Sequence, residues 1–506
     1  MRFLLCSPFG KTLFRIFDKH MKHLIRISLI FIALTSVVYA QTSTRVKDGL
    51  QLKIHVKGLT GGECILANHY GDKQYIQDTA KVDATGWMTF QDSSMHGGIY
   101  IVMLPSKKYF ELVLTDQQKF TVETDTADMV KNMKITGNKE NLYFYEYLNY
   151  MADQQKKIEP AQNLMKVTHS KDSLAKLQKQ VTDADSIVKA YKRDFYKTKH
   201  PGTFTAEILA AMDEPDNIPY DKCPRKPNGN IDSTYNYWNF RNHYWDGMNF
   251  TDDRIAYTPV YHNKMKFFFE KLIPGDPDSV MAACDWLIEK ARPSKELFKY
   301  TVYYCTVTYE TSKVMGYDAI FVHLVNKYYK TNQVWWVSKE QLKKIDDRAD
   351  QLSYGLIGKT AVNITLKDTL GRVKTLQGVN AKYTVVIFWE PTCSHCKKEI
   401  PILKAYYDSL HTAGISFEVY AVVTEMDKVA WKKYIHDNKI TWINVASDDQ
   451  KELATIKWYY DVYSTPTIYL LDDKKVIFGK RLDADGLKAF MNRRIAEDKK
   501  KDQKPN

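Results

Sequence analysis

Cysteine is scarce in this chain. Its 506 residues carry seven, too few for a small secreted domain held together by disulfides. Cys6 lies in an N-terminal segment expected to be removed. Cys64, Cys223, Cys284 and Cys305 are scattered without regular spacing and read as buried apolar side chains rather than ligands. Cys284 and Cys305 could bridge only if their helices meet. Cys393 and Cys396 form a CxxC, but no second CxxC and no nearby His pair stands beside them, which argues against a zinc site. No metal and no cofactor is expected. Long low-complexity segments are missing, so the chain is of globular type, and its length suggests about three domains. Nucleic-acid motifs are also missing, and nucleic acid is not an expected partner. The apolar run over residues 27–38 is short for a membrane span, which needs about twenty residues.

That run has the attributes of a secretory signal. Lys22, His23 and Arg26 precede it, and Val38-Tyr39-Ala40 offers small residues where a signal peptidase reads. We therefore expect a signal peptide over residues 1–40, with cleavage after Ala40 and Met21 as an alternative start. An uncleaved N-terminal anchor is the rival reading. No cysteine follows the run, which disfavours a lipid-anchored product. The expected location is the periplasm or cell envelope. The formal charge of +13 sits partly in this segment. Elsewhere Lys alternates with Asp and Glu along solvated helix faces, so membrane association is limited to weak attraction to an anionic surface.

Three regions follow. Over 41–140, "LKIHVKG" and "FELVL" read as strands, and Gly61-Gly62, Thr85-Gly86 and Gly97-Gly98 as turns; the expectation is a β-sandwich. Over 141–352 the pattern turns helical and rich in Tyr, a residue the chain uses 34 times, giving an all-α region. Over 353–496 strands and helices alternate. "NITLKDTLGRVKTL" reads as a hairpin turning near Gly371. "YTVVIFW" is a continuous apolar strand suited to the centre of a sheet covered on both faces. "TWINV" is a short strand or an edge. A final hairpin turns at Asp472-Asp473, and a helix over 485–494 closes the domain. A basic tail, 497–506, looks frayed.

The chemistry concentrates after the apolar strand. Cys393 falls at a helix N-terminus, where free N–H groups and the helix dipole favour a thiolate. Cys396 lies one turn in, within reach of a disulfide. Cys393 is therefore the expected attacking thiol and Cys396 the shielded thiol that resolves a mixed disulfide. A protonated His395 would add positive charge beside the pair and raise the reduction potential. Glu399, three residues beyond Cys396, shares its helical face. It is either a buried proton partner for Cys396 or a solvated surface Glu. Pro401 should kink the helix. Some seventy residues later, Thr465-Pro466 precedes a strand. A cis bond there would turn the chain into the strand and present the Thr465 backbone to a substrate strand.

With these residues in place, residues from about 358 to 494 resemble the thioredoxin superfamily. The resemblance is nearest to exported TlpA/ResA-like thiol–disulfide oxidoreductases and is carried by Trp389, Cys393, Cys396, Glu399, Pro401 and Thr465-Pro466. It implies an α/β thioredoxin-like fold, a nucleophilic first Cys and a resolving second Cys. It also implies a buried Glu399, a cis Thr465–Pro466 bond, and a substrate-binding face including Trp389, Thr465 and Pro466. Ser394-His395 departs from the Pro many relatives carry between the cysteines. The upstream regions resemble uncharacterised β-rich and helical domains fused ahead of such enzymes. The implied partners are envelope proteins with disulfides and an upstream electron-donor thiol protein. Two alternatives stand beside dithiol–disulfide exchange: a thiol peroxidase on the same fold, and an envelope binding protein with an accessory redox domain. For the latter, the aromatic segment 235–245 is a candidate contact surface, or else core.

Overall fold

The computed structural model describes residues 49–92 and 95–502; the expected signal segment lies outside them. The described residues form two compact units. One runs to Ile273 and takes in Glu289–Tyr300; the other holds Pro274–Ile288 and the chain from Thr301 onward.

The first unit begins with eight strands: β1 Leu50–Lys57, β2 Glu63–Tyr70, β3 Lys73–Lys81, β4 Trp87–Asp92, β5 Gly98–Met103, β6 Tyr109–Leu114, β7 Lys119–Asp125 and β8 Lys134–Thr136. They make two four-stranded sheets, ordered β4-β1-β7-β8 and β3-β2-β5-β6. In β1 the period-two alternation is complete: Leu50, Leu52, Ile54 and Val56 are buried, because successive side chains of a strand point to opposite faces. Gly71 turns β2 into β3 at a φ of +61°, and a side chain there would run into the Tyr300 ring. Five helices follow: α1 Lys139–Val167, α2 Lys171–Asp194, α3 Phe204–Ala211, α4 Tyr235–His243 and α5 Pro259–Phe267. Asn138, Ser170, Thr203 and Thr258 cap α1, α2, α3 and α5 with side-chain oxygens. The aromatic segment 235–245 divides. Tyr244 and Trp245 are buried, with Tyr244 stacked on Phe267 at 5.6 Å and Trp245 edge-on to Phe268 at 5.5 Å. Tyr237 and Trp238 stay partly exposed.

Helices α6 (Pro277–Ala291) and α7 (Lys295–Glu310) contribute one end to each unit. The second unit continues with α8 (Asp318–Leu324) and α9 (Lys339–Ser353). A capping box of Ser338 and Gln341 starts α9. The helical region therefore does not close off as a body of its own: α9 belongs to the same compact unit as the α/β region after it.

That α/β region has strands β9 Thr365–Asp368, β10 Val373–Thr375, β11 Tyr383–Trp389, β12 Phe417–Val423, β13 Ile443–Ala446, β14 Thr467–Leu471 and β15 Ile477–Lys480. Their order is β10-β9-β13-β12-β11-β14-β15. Helices α10 Ser394–Thr412, α11 Lys428–Asp437, α12 Gln450–Tyr459 and α13 Ala484–Asp502 complete it. The β9–β10 hairpin turns at Gly371, where φ is +78°. Strand β11 lies between parallel β12 and antiparallel β14 and is buried along its whole length. Val385, Ile387 and Trp389 pack on one face with Ile400, Leu403, Leu487 and Met491; Val386 and Phe388 pack on the other with Leu453 and Tyr460. Each such aliphatic side chain contributes about 1.5–3 kcal/mol on full burial. Strand β13 is the short strand expected, and it is interior rather than an edge, paired with both β12 and β9. One boundary differs from expectation. The closing helix runs to Asp502, because Asp498 accepts a 2.7 Å hydrogen bond from the Tyr383 hydroxyl and a 3.2 Å bond from Arg494.

Candidate active site

The central strand β11 ends at Trp389, and four residues later Cys393 becomes the N-cap of α10. An N-cap side chain normally accepts from the orphan amides of the first turn. Here the acceptor is sulfur: the Cys396 N–H points at Cys393 Sγ at 3.4 Å. Strand register brings up the other wall. Phe388 lies opposite Thr467, so the segment entering β14 runs beside the segment leaving β11. The Thr465–Pro466 bond is cis, and the Cys393 thiol donates to the Thr465 carbonyl at 3.4 Å.

The two thiols are unequal. Cys393 is half-buried and Cys396 fully buried; both are free. Burial by itself would raise Cys393. Hydrogen bonds from the Thr465 side chain, from Cys396 and from the His395 backbone outweigh it and hold the thiol below its ordinary range. Burial pushes Cys396 up to about 12. Cys393 is thus the readier of the two to carry charge, while Cys396 keeps its proton.

The other expected site residues land differently. The Thr465 carbonyl meets Cys393 Sγ, and Pro466 follows it across the cis bond. The His395 ring is exposed, and the part of His395 that lowers Cys393 is its backbone N–H. Glu399 is half-buried, and its Oε2 accepts from the Ala484 N–H at 2.6 Å. It thereby places an anion at the first residue of α13. Pro401 is accommodated inside a continuous α10. Trp389 is a correction. Expected on the substrate-binding face, it is 0% exposed and packs against Tyr434 at 5.2 Å. A strand covered on both faces leaves its last side chain no route to substrate.

Sequence reading missed a polar rim. The Glu390 carboxylate accepts from the Thr424 hydroxyl at 2.6 Å, and the Thr392 hydroxyl is bonded to Glu425. Burial, with Glu390 and Asp427 nearby, pushes Glu425 above the usual carboxylate range. Only an acidic residue before the Pro-Thr-Cys signalled this rim; its partners follow the next strand. Among the described residues, no group of three or more His, Cys, Asp or Glu is placed to hold a metal, and no helix is long and apolar enough to cross a membrane.

A helix-capping thiol, a second thiol one turn in and the Thr465 carbonyl beside them can together carry out thiol–disulfide exchange, and the comparisons with known proteins agree. Residues 357–479 match the AhpC/TSA family. Thiol-disulfide oxidoreductase ResA of Bacillus thuringiensis subsp. konkukian is 30% identical over 122 residues, 24% of this chain and 67% of that protein. ResA of Bacillus subtilis is 29% identical over 126 residues, with the same shares. The chain belongs to the thioredoxin-like thiol–disulfide oxidoreductases. A solved thioredoxin domain of a thiol-disulfide oxidoreductase from Bacteroides vulgatus is 30% identical, covering 27% of this chain and 96% of that one, at a TM-score of 0.26. The AhpC/TSA match lies in the C-terminal region. Residues 50–144 and 197–352 match two families described only as domains of unknown function, DUF4369 and DUF5106.

Proposed function

We propose that this oxidoreductase is exported and reduces or exchanges disulfides of envelope proteins through Cys393 and Cys396. The inequality of the two thiols carries the reading: a half-buried thiol held below its ordinary range beside a buried one pushed up to about 12. In the reductive direction, the Cys393 thiolate attacks a substrate disulfide and releases one substrate thiolate, which takes up a proton. Cys396 loses its proton and attacks Cys393 Sγ in the mixed disulfide. The second substrate thiol leaves, and the enzyme retains a Cys393–Cys396 disulfide. An upstream dithiol protein then returns two electrons by the reverse exchange; Cys396 regains one proton, Cys393 returns as its thiolate, and the donor's second proton goes to water. The Thr465 backbone is the pairing edge for the substrate segment.

A thiol peroxidase is the second reading, favoured by the AhpC/TSA match. Against it, the Thr392 hydroxyl is engaged by Glu425, and a dithiol pair one turn apart suits exchange.

Insulin reduction with dithiothreitol as donor tests the main reading. Cys393→Ser should abolish it, and Cys396→Ser should accumulate mixed disulfides on non-reducing gels. Full activity in Cys393→Ser would sink the reading, and peroxide turnover exceeding insulin reduction would favour the peroxidase. Export is tested by N-terminal sequencing after fractionation. A mature chain starting near Gln41 supports it; an intact apolar run in the membrane fraction supports the anchor.

A further inference from the structure

The loop that carries Thr465 is braced by a helix more than one hundred residues upstream. Asp461 begins this loop in the left-handed region, with φ +50°, a conformation unfavourable for a residue with a side chain unless local bonds hold it. Its carboxylate is 4% exposed and sits between two guanidinium groups, those of Arg348 on α9 and Arg481 after β15. Arg348 reaches it with both terminal nitrogens, the second at 3.3 Å. A planar fork of this kind fixes orientation as well as charge.

The same helix grips the loop again two residues on. The Tyr463 hydroxyl donates to Gln351 Oε1 at 2.9 Å. Arg348 donates to that same oxygen at 2.9 Å and lies 5.3 Å from the centre of the Tyr463 ring. Gln351 is buried, yet Tyr463 as a whole is 74% exposed. An aromatic ring pinned by its hydroxyl and open to solvent is an unusual use of apolar surface. It stands two residues from Thr465, whose carbonyl meets Cys393 Sγ.

We propose that Tyr463 is a specificity-determining contact for the extended polypeptide flanking a target disulfide, and that Arg348 and Gln351 of α9 are positioning residues that hold it and the Thr465 edge in place. The helix is then a working part of the redox unit. This inference rests on the proposed reduction of protein disulfides and names what reads the polypeptide around the bond. The ligand is non-helical chain: its backbone pairs at Thr465, and an apolar or aromatic side chain lies on the Tyr463 ring. A small disulfide needs only the Cys393–Cys396 pair and makes no use of the ring.

The discriminating experiment measures kcat and KM of the full mature chain with insulin and, in parallel, with hydroxyethyl disulfide. Tyr463→Ala changes an exposed side chain, so folding is not at issue. It should raise KM for insulin about fivefold to tenfold with kcat little changed, as expected when a contact aromatic is truncated. Tyr463→Phe keeps the ring but loses the hydroxyl that Gln351 holds, and should recover only part of that loss. Arg348→Gln should raise the insulin KM like Tyr463→Ala, and Arg348→Lys should recover it only in part. The two Tyr463 variants should match wild type on hydroxyethyl disulfide. Unchanged insulin kinetics in Tyr463→Ala, or equal losses on both substrates, would overturn this inference while leaving the exchange reaction standing. A wild-type chain inert toward both disulfides would overturn the exchange reading and this inference with it.

Discussion

The C-terminal unit contains two cysteine pairs, and they behave as opposites. Cys284 on α6 and Cys305 on α7 are each 0% exposed. Burial, with a hydrogen bond to Cys305, holds Cys284 far above the ordinary thiol range. Cys393 and Cys396 are also neighbours, but one of them lies at a helix N-terminus, where amides with no intrahelical partner turn toward sulfur. Proximity of two sulfurs therefore does not make a redox centre. What separates the pairs is the supply of backbone N–H groups to one sulfur and its access to solvent.

The comparison can be broken by moving the chemistry. Loss of Cys393 should remove exchange altogether, whereas loss of Cys284 or Cys305 should leave it near the wild-type rate. Their price is stability instead. Cys284→Ser replaces a buried thiol by a more strongly hydrated hydroxyl and should cost about 1–3 kcal/mol in urea unfolding, with insulin reduction per folded molecule unchanged. A Cys284→Ser protein that folds normally but fails to reduce insulin would join the two pairs functionally and contradict the distinction.

A smaller and sharper effect concerns His395. If the backbone amide is what favours the Cys393 thiolate, His395→Pro removes it while His395→Ala keeps it. The Pro variant should raise the Cys393 pKa and slow its alkylation at pH 7 by about threefold; the Ala variant should stay near wild type. Equal slowing in both would assign the effect to the imidazole. The least effect is expected from Glu399→Gln. It weakens the anion at the start of α13, costing about 0.3–1 kcal/mol of stability, and leaves the Cys393 pKa in place.

The site was legible in the sequence wherever its parts were local. A CxxC after a continuous apolar strand places two thiols on one helical turn, and a Pro ahead of a strand points to the loop that meets them. Where contacts span the chain, the sequence was silent. Nothing near Arg348 announces Asp461, 113 residues away, so the helical region read as separate from the α/β region that α9 in fact braces. Trp389 misled for a different reason. Its position next to the CxxC suggested a surface role, but strand alternation placed it on a face covered by α10 and α13. Glu399 shared the Cys396 face by spacing, and spacing could not reveal that the Ala484 amide would claim its carboxylate.

The central claim is that Cys393 alone is poised as a thiolate. Iodoacetamide labelling of the reduced, folded chain across pH 5–10, read per cysteine by mass spectrometry, tests it most directly. Because the Cys393 pKa is lowered, its thiolate fraction at any pH below the ordinary thiol value exceeds that of a free thiol. Its labelling should therefore rise with a midpoint below that of a free thiol and then level off. Cys396, pushed up to about 12, should stay slow throughout, and Cys284 and Cys305 should react only after unfolding. A Cys393 midpoint at or above that of a free thiol, or labelling of Cys284 as fast as Cys393 in the folded chain, would contradict the account.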